Sequence, residues 1–206
     1  MTKQFKRLGF IGRFKPLHLG ASAVLEGLCK EADEVIIGIG SSNKYNLRNP
    51  FTAEETEDMI DAYLSPNHSN YSIVRIPDYA HIPKFNNGNV WTEHVLKEFG
   101  SLDAFVTGNE YVNKLLEPHY KIIHSAEFVP FEKRTRLRAS AVRVEMARNG
   151  PWQSMVPEEV KEYLQNNSLI KRFKKEFGLE TISKLVTDNY FMDETKDKEK
   201  IHTMEV

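Results

Sequence analysis

The sequence predicts an α/β protein: a Rossmann-like, doubly wound parallel sheet with a helical C-terminal portion. Short, continuous Val/Ile-rich runs alternate with longer amphipathic stretches along the first 123 residues. Such runs suit strands buried on both faces, and their alternation with helices suits right-handed crossovers between parallel strands. The run ending at Gly12 also passes through a turn directly into a helical pattern, which places a helix N-terminus at the carboxyl end of a first strand. Finally, 40% of the 206 residues are hydrophobic, enough for a real core and too many for a disordered chain.

The expected strands are Leu8–Ile11, Glu34–Ile39, Tyr71–Ile76, Ala104–Thr107 and Tyr120–Ile123. Helical spacing marks Ala21–Glu31, where Val24, Leu25 and Leu28 form one stripe, and Thr52–Leu64, where Met59, Ile60, Tyr63 and Leu64 do the same. Thr52 and Glu55 have capping-box spacing, so that helix has a defined start. Val90–Phe99 and Tyr111–Leu116 complete the alternation. Beyond Ile123 the pattern changes. Five cations fall between Lys133 and Arg143, leading into a helix that ends near Asn149-Gly150-Pro151. A further helix follows Pro157, with Val160 and Leu164 as its apolar edge. Residues 1–187 are expected to form one domain with its core in 7–165, and the charged, aperiodic residues 188–206 a flexible tail.

Composition narrows the function classes. Lys and Arg number 28 against 29 Asp and Glu, a net charge of −1, which argues against bulk adhesion to nucleic acid or membrane. The one cysteine, Cys29, excludes an internal disulfide framework and a CxxC metal cage. No apolar run reaches the roughly 20 residues that span a bilayer, and no signal-peptide pattern opens the chain. A soluble, cytoplasmic protein is expected.

The chemistry concentrates in Gly9-Phe-Ile-Gly-Arg-Phe-Lys-Pro-Leu-His-Leu-Gly-Ala21. In a doubly wound sheet, ligands bind beyond the carboxyl ends of the strands. A helix N-terminus there offers unpaired N–H groups and partial positive charge to a phosphate. Gly12 and Gly20 are expected to let backbone approach a ligand, with Arg13 and His18 as directed donors. Arg48, Arg134, Arg136 and Arg143 add planar forks for phosphate oxygens, and Ser140 a hydroxyl at the start of a helix. Thr107-Gly108-Asn109 ends a strand, where Gly108 lets a base or sugar come close to the backbone. Plainer readings stand beside these. Arg48 reads also as a surface residue, Trp91 as core beside Val90 and Val95, and Lys133–Arg143 as an RNA-contact patch.

The segment GRFKPLH-x-G resembles the first signature of the nucleotidyltransferase superfamily, His-x-Gly-His in most members, and its Gly-Arg-Phe opening is similar to the archaeal-type nicotinamide-nucleotide adenylyltransferases. The resemblance continues through Ile37–Ser42, Leu47–Glu55, Val106–Asn109, the basic stretch into Ser140–Met146, and Val156–Val160, covering roughly residues 7–165 in order. It implies transfer of AMP from ATP to nicotinamide mononucleotide, giving NAD and pyrophosphate, with Mg²⁺ carried mainly by the ATP phosphates. It further implies catalytic roles for His18 and Arg13. Nucleotide or substrate contacts are implied for Gly12, Phe14, Gly20, Arg48, Asp78, Trp91, Gly108, Asn109, Arg134, Arg136, Ser140 and Arg143, with Asp78 and Trp91 shaping the nicotinamide pocket. Relatives of this kind often form closed symmetric oligomers.

Four departures stand out. Ala21 occupies the place of the second signature histidine. Thr56 stands where many relatives have arginine, Gly88 occupies a slot in an altered Asn-x-x-Trp region, and Arg138-Ala-Ser140 replaces a Ser-x-Thr entry. Because a methyl group donates no hydrogen bond, reduced activity is expected. A related transferase using CTP or another acceptor, and a catalytically weakened nucleotide-binding protein, are the alternatives.

Overall fold

The computed structural model describes residues 3–187, and the tail expected over 188–206 lies outside them. Five strands form one all-parallel sheet in the order β3-β2-β1-β4-β5: β1 Phe5–Gly12, β2 Ala32–Gly40, β3 Tyr71–Ile76, β4 Ala104–Thr107 and β5 Ile122–His124. The strand order reverses between β1 and β4, whose onward connections run to opposite edges of the sheet. Helices α1 (Leu19–Glu31), α2 (Ala53–Leu64), α3 (Asn89–Phe99) and α4 (Glu110–Leu116) make the crossovers. After β5 come α5 (Ala139–Ala147), α6 (Glu158–Asn166), α7 (Leu169–Phe173), a π-helical turn (Lys174–Gly178) and α8 (Leu179–Thr187). Among the described residues no helix is long and apolar enough to cross a membrane.

The period-two alternation of strand side chains divides the core into two layers. Leu8 and Phe10 of β1, Val35, Ile37 and Ile39 of β2, and Ala104 and Val106 of β4 face the larger layer. There they meet Val24, Leu25 and Leu28 of α1, Met59 and Ile60 of α2, Val142 and Met146 of α5, and Val160 and Leu164 of α6. The intervening Ile36 and Phe105 face the smaller layer, with Val95 and Phe99 of α3 and Leu116 of α4. Phe99 lies so close to β1 that a Cβ on Gly9 would sit 2.7 Å from its ring, so the sheet accepts this helix only where the strand has no side chain.

Thr52 caps α2 as its spacing predicts: its hydroxyl accepts from Glu55 N–H at 3.1 Å, and the Glu55 carboxylate accepts from Thr52 N–H at 2.9 Å. One strand is displaced from expectation. The last runs over Ile122–His124, two residues later at its start than the apolar pattern suggests. Register decides this: Phe105 pairs with Ile122, whereas the Tyr120 ring stacks against Phe105 at 5.9 Å and its hydroxyl donates to Gly100 O at 2.7 Å. Tyr120 is apolar enough to look like strand, yet it closes the smaller layer from outside the ladder.

Candidate active site

A cavity opens beyond the carboxyl ends of β1 and β4, at the point where the strand order reverses. This is where a doubly wound sheet splays its connections apart and leaves room for a ligand. Gly12 and Arg13 form one wall, Thr107, Gly108 and Asn109 another, and Ser41 and Asp78 a third. Aromatic residues complete it: Tyr79, Phe85, Trp91 and Tyr111.

Local hydrogen bonds fix these walls. Asn109 caps α4, its Oδ1 accepting from Tyr111 N–H at 2.8 Å and Val112 N–H at 3.1 Å, while its own N–H donates to Thr107 Oγ1 at 3.0 Å. Asp78 N–H donates to Asn43 Oδ1 at 2.8 Å, and Asn43 Nδ2 returns a bond to Asp78 O at 3.1 Å, locking the loops after β2 and β3 together. Ser41, in the left-handed region at φ 51°, donates from Oγ to Asp78 Oδ2 at 3.3 Å. Trp91 lines the cavity and also packs on the smaller core layer.

Beside the cavity lies a cationic cluster. Lys15 is fully buried, with Nζ donating to Ser41 O at 3.2 Å, and its own carbonyl accepts from Arg143 Nη1 at 2.8 Å. Burial, with Arg13 nearby, lowers the Lys15 ammonium to about 8 against the opposing pull of Glu55. His18 caps α1, its Nδ1 accepting from Ala21 N–H at 3.3 Å. Burial and the neighbouring Arg143 lower the His18 imidazole to about 4, so it is neutral at pH 7. With Nδ1 used as acceptor, that hydrogen bond assigns the ring proton to Nε2, leaving a neutral donor.

Residues 9–206 match the cytidylyltransferase-like family. The chain belongs to that family. Its relatives include nicotinamide-nucleotide adenylyltransferases of Thermococcus sibiricus, 34% identical over 184 residues (87% of this chain, 89% of that protein), and of Thermococcus kodakarensis, 32% identical over 174 residues (82% and 87%). A third, from Archaeoglobus fulgidus, is 31% identical over 170 residues, covering 82% of this chain and 95% of that protein. Among solved structures, the bifunctional NMN adenylyltransferase/ADP ribose pyrophosphatase of Francisella tularensis, complexed with AMP and a manganese ion, shares the fold with a TM-score of 0.63 at 20% identity. That match covers 95% of this chain and spans 56% of the longer protein. The family match and the fold agree with the superfamily that the signature residues suggested.

The structure brings Gly12, Arg13, Asp78, Trp91, Gly108 and Asn109 to one cavity. It places His18, Gly20, Ser140 and Arg143 around the starts of α1 and α5, next to that cavity rather than in its lining. Arg48, Arg134 and Arg136 are exposed on loops. Arg134 Nε donates to Val129 O at 3.0 Å and its guanidinium lies 5.8 Å from the centre of the Phe131 ring. The loop that carries Arg134 and Arg136 crosses the first turn of α1, since a Cβ on Gly20 would lie 3.1 Å from Thr135 Cγ2.

Two residues have roles other than those expected. Phe14 is buried, its ring centre 5.9 Å from that of Phe10, and it is not among the residues that line the cavity. A Cβ on Gly12 would fall 2.6 Å from the Phe14 ring, so this glycine makes room for Phe14 before it makes room for any ligand. Lys15, Tyr79, Phe85 and Tyr111 went unnoticed in the sequence, because only the convergence of four loops reveals them as wall or as buried charge.

Proposed function

We propose that this protein transfers AMP from ATP to the 5′-phosphate of nicotinamide mononucleotide, forming NAD and releasing pyrophosphate. The observation that carries this reading is the pairing, on one rim, of an aromatic-walled cavity with a cluster of buried and half-buried cations. The cavity suits flat rings. The cluster suits phosphates. The names of the archaeal relatives support the same reaction.

No protein nucleophile is needed. An oxygen of the acceptor phosphate attacks the α-phosphorus of ATP, and the bond from that phosphorus to the bridging oxygen of pyrophosphate breaks. The protein's task is alignment of two anions and stabilisation of charge that grows on the leaving group. Arg13 and Arg143, with Lys15 behind them, supply fixed positive charge, and the neutral His18 supplies a donor from Nε2. Ser140 adds its hydroxyl and the N–H groups of the first turn of α5. Arg48, Arg134 and Arg136 reach phosphates from the loops above. Trp91 stacks on the nicotinamide ring, Asp78 holds that pocket's polar edge, and Gly108 and Asn109 admit the other nucleoside.

Among the described residues no three His, Cys, Asp or Glu side chains group to hold a metal ion. The donor set at this rim is cationic and so suited to phosphates, which themselves carry Mg²⁺ in this reading, neutralising the triphosphate. The protein in this reading works in the cytoplasm on ATP and the mononucleotide, with no membrane or nucleic-acid partner.

Ala21 favours a second reading, a nucleotide-binding protein with little turnover, because its methyl group donates nothing to a transferring phosphoryl group. One experiment separates them. Purified protein with ATP, Mg²⁺ and nicotinamide mononucleotide is expected to form NAD and pyrophosphate in equal amounts. Tight ATP binding by calorimetry with no product above the no-enzyme blank would overturn the transferase reading.

A further inference from the structure

We infer that Arg172, on α7, is a positioning residue for the transfer site: it clamps both flanks of the turn that displays Arg48. The turn is self-bonded. Asn46 Oδ1 accepts from the N–H groups of Arg48 at 3.0 Å and Asn49 at 3.1 Å, and Asn46 and Asn49 exchange two backbone hydrogen bonds. Arg48 sits exposed within it. Such a turn keeps its own shape, but its placement over the rim depends on what holds Tyr45 on one side and Pro50 on the other.

Arg172 touches both. Its Nη2 donates to Pro50 O at 3.2 Å, and its guanidinium lies 5.7 Å from the centre of the Tyr45 ring. The same fork binds Glu55 through both nitrogens, Nη2 to Oε2 at 2.7 Å and Nη1 to Oε1. Glu55 is already committed to the capping box of α2, so one carboxylate joins the start of that helix to α7. Burial pushes the Glu55 carboxyl up, but the Arg172 hydrogen bonds, the Thr52 N–H and the charges of Arg172 and Lys15 outweigh it and keep it ionised.

The π-helical turn that follows Arg172 supplies the remaining partners of Tyr45. The Tyr45 hydroxyl donates to Glu176, and its ring meets Phe177 edge-on at 5.4 Å. π-Helical turns interrupt helices often at functional sites. Here the turn lets α7 present Arg172, Glu176 and Phe177 to a single loop. A planar, bidentate guanidinium suits this post better than an ammonium, because only a fork reaches carboxylate and carbonyl together. The C-terminal helices thereby reach the site without any of their residues entering the cavity.

This inference rests on the adenylyl-transfer reading for its kinetic test, and a second measurement keeps the two separable. Arg172→Met and Arg172→Lys are compared with the unaltered protein. Arg172→Met is expected to raise the KM for at least one nucleotide substrate by about tenfold with kcat less affected, and Arg172→Lys to recover part of that loss. Independently of turnover, amide hydrogen exchange in residues 42–50 is expected to speed up in Arg172→Met while β1 and β2 stay protected. Should Arg172→Met fail to fold, Tyr45→Leu removes the ring and hydroxyl contacts and is read the same way. Unchanged exchange in 42–50 overturns the clamp. Faster exchange with both KM values unchanged overturns the positioning role and leaves α7 a structural prop. If the unaltered protein shows no turnover, the transfer reading fails and the exchange result alone decides the clamp.

Discussion

Two loops carry the arginines that the adenylyl-transfer reading assigns to phosphates, and they are built in opposite ways. The loop after β2 carries Arg48 in a self-bonded turn, tied down on both sides by Arg172, Glu176 and Phe177. The segment before α5 carries Arg134 and Arg136 and stays open: Phe131 is 83% exposed, and residues 131–136 are all exposed. Its ties lie at the surface: Arg134 Nε donates to Val129 O and its guanidinium lies over the Phe131 ring, Leu137 N–H donates to Thr135 Oγ1, and Lys133 pairs with Glu26 of α1 at 3.8 Å. The cost of ordering falls unequally on the two loops. A guanidinium held in place loses little freedom when a phosphate arrives, whereas one on a loose loop gives back part of its binding energy to order the segment. The clamped loop is suited to constant grip, and the open one to closing over a triphosphate and releasing it.

The largest test concerns the helix turn beneath the open loop. Ala21→His places a donor next to His18 and is expected to raise kcat by roughly a hundredfold, at a stability cost of about 1–3 kcal/mol because Ala21 is buried within the packed core. Steady-state rates and a thermal melt on the same preparation decide it; a folded variant with an unaltered rate means position 21 lacks nothing. Next, Arg48→Ala is expected to weaken substrate binding by about 1.5–3 kcal/mol, and Arg136→Ala by less, since its contact is discounted by loop ordering. Calorimetry on both variants settles the order. A greater loss at Arg136 reverses the comparison between the loops.

A smaller effect comes from His18. Its folded value, lowered to about 4, lies below the ordinary 6.5 of an unfolded chain, so the unfolded state binds the proton first as pH falls. The stability that depends on a neutral His18 is complete above about pH 6.5 and declines as pH drops toward 4, by about 2 kcal/mol between pH 7 and pH 5. Urea midpoints for the unaltered protein should shift over that interval, and those for His18→Asn should shift less. Equal shifts would show that His18 is not buried as a neutral ring. The smallest expected change is in exchange rates. Adding a non-hydrolysable ATP analogue should protect 130–138 while leaving 42–50 nearly as before.

Much of this architecture was legible in the chain. The strand Ala104–Thr107 occurs where its apolar run places it, because a strand buried on both faces must be apolar throughout; the edge strand Tyr71–Ile76 also occurs where its run places it, although Ser72 and Arg75 are exposed. Thr52 and Glu55 announced the start of α2 because a capping box is a local reciprocal bond. Gly12, Arg13, Asp78, Trp91, Gly108 and Asn109 lie at strand ends or in the connections that follow, so alternation of elements sufficed to bring them near one another. Tyr120 misled because the sequence records its apolar ring and not the register that excludes it from the ladder. The packing of Phe14 on Phe10 was likewise not legible, because a flanking aromatic in a signature carries no record of the ring it meets.

What the residues determined unaided is therefore the layered sheet, the rim at which chemistry gathers, and the family. Each follows from short-range pattern: period two in strands, capping at helix starts, and glycine and arginine at fixed offsets. Long-range packing alone seals Lys15 beneath the rim, fits Gly12 to the Phe14 ring, and sets Arg172 of α7, 117 residues from Glu55, against the loop bearing Arg48. Those facts depend on burial and on contacts between distant segments. No local pattern records them, because the free energy of a buried charge or a bidentate ion pair is set by whatever the fold packs around it.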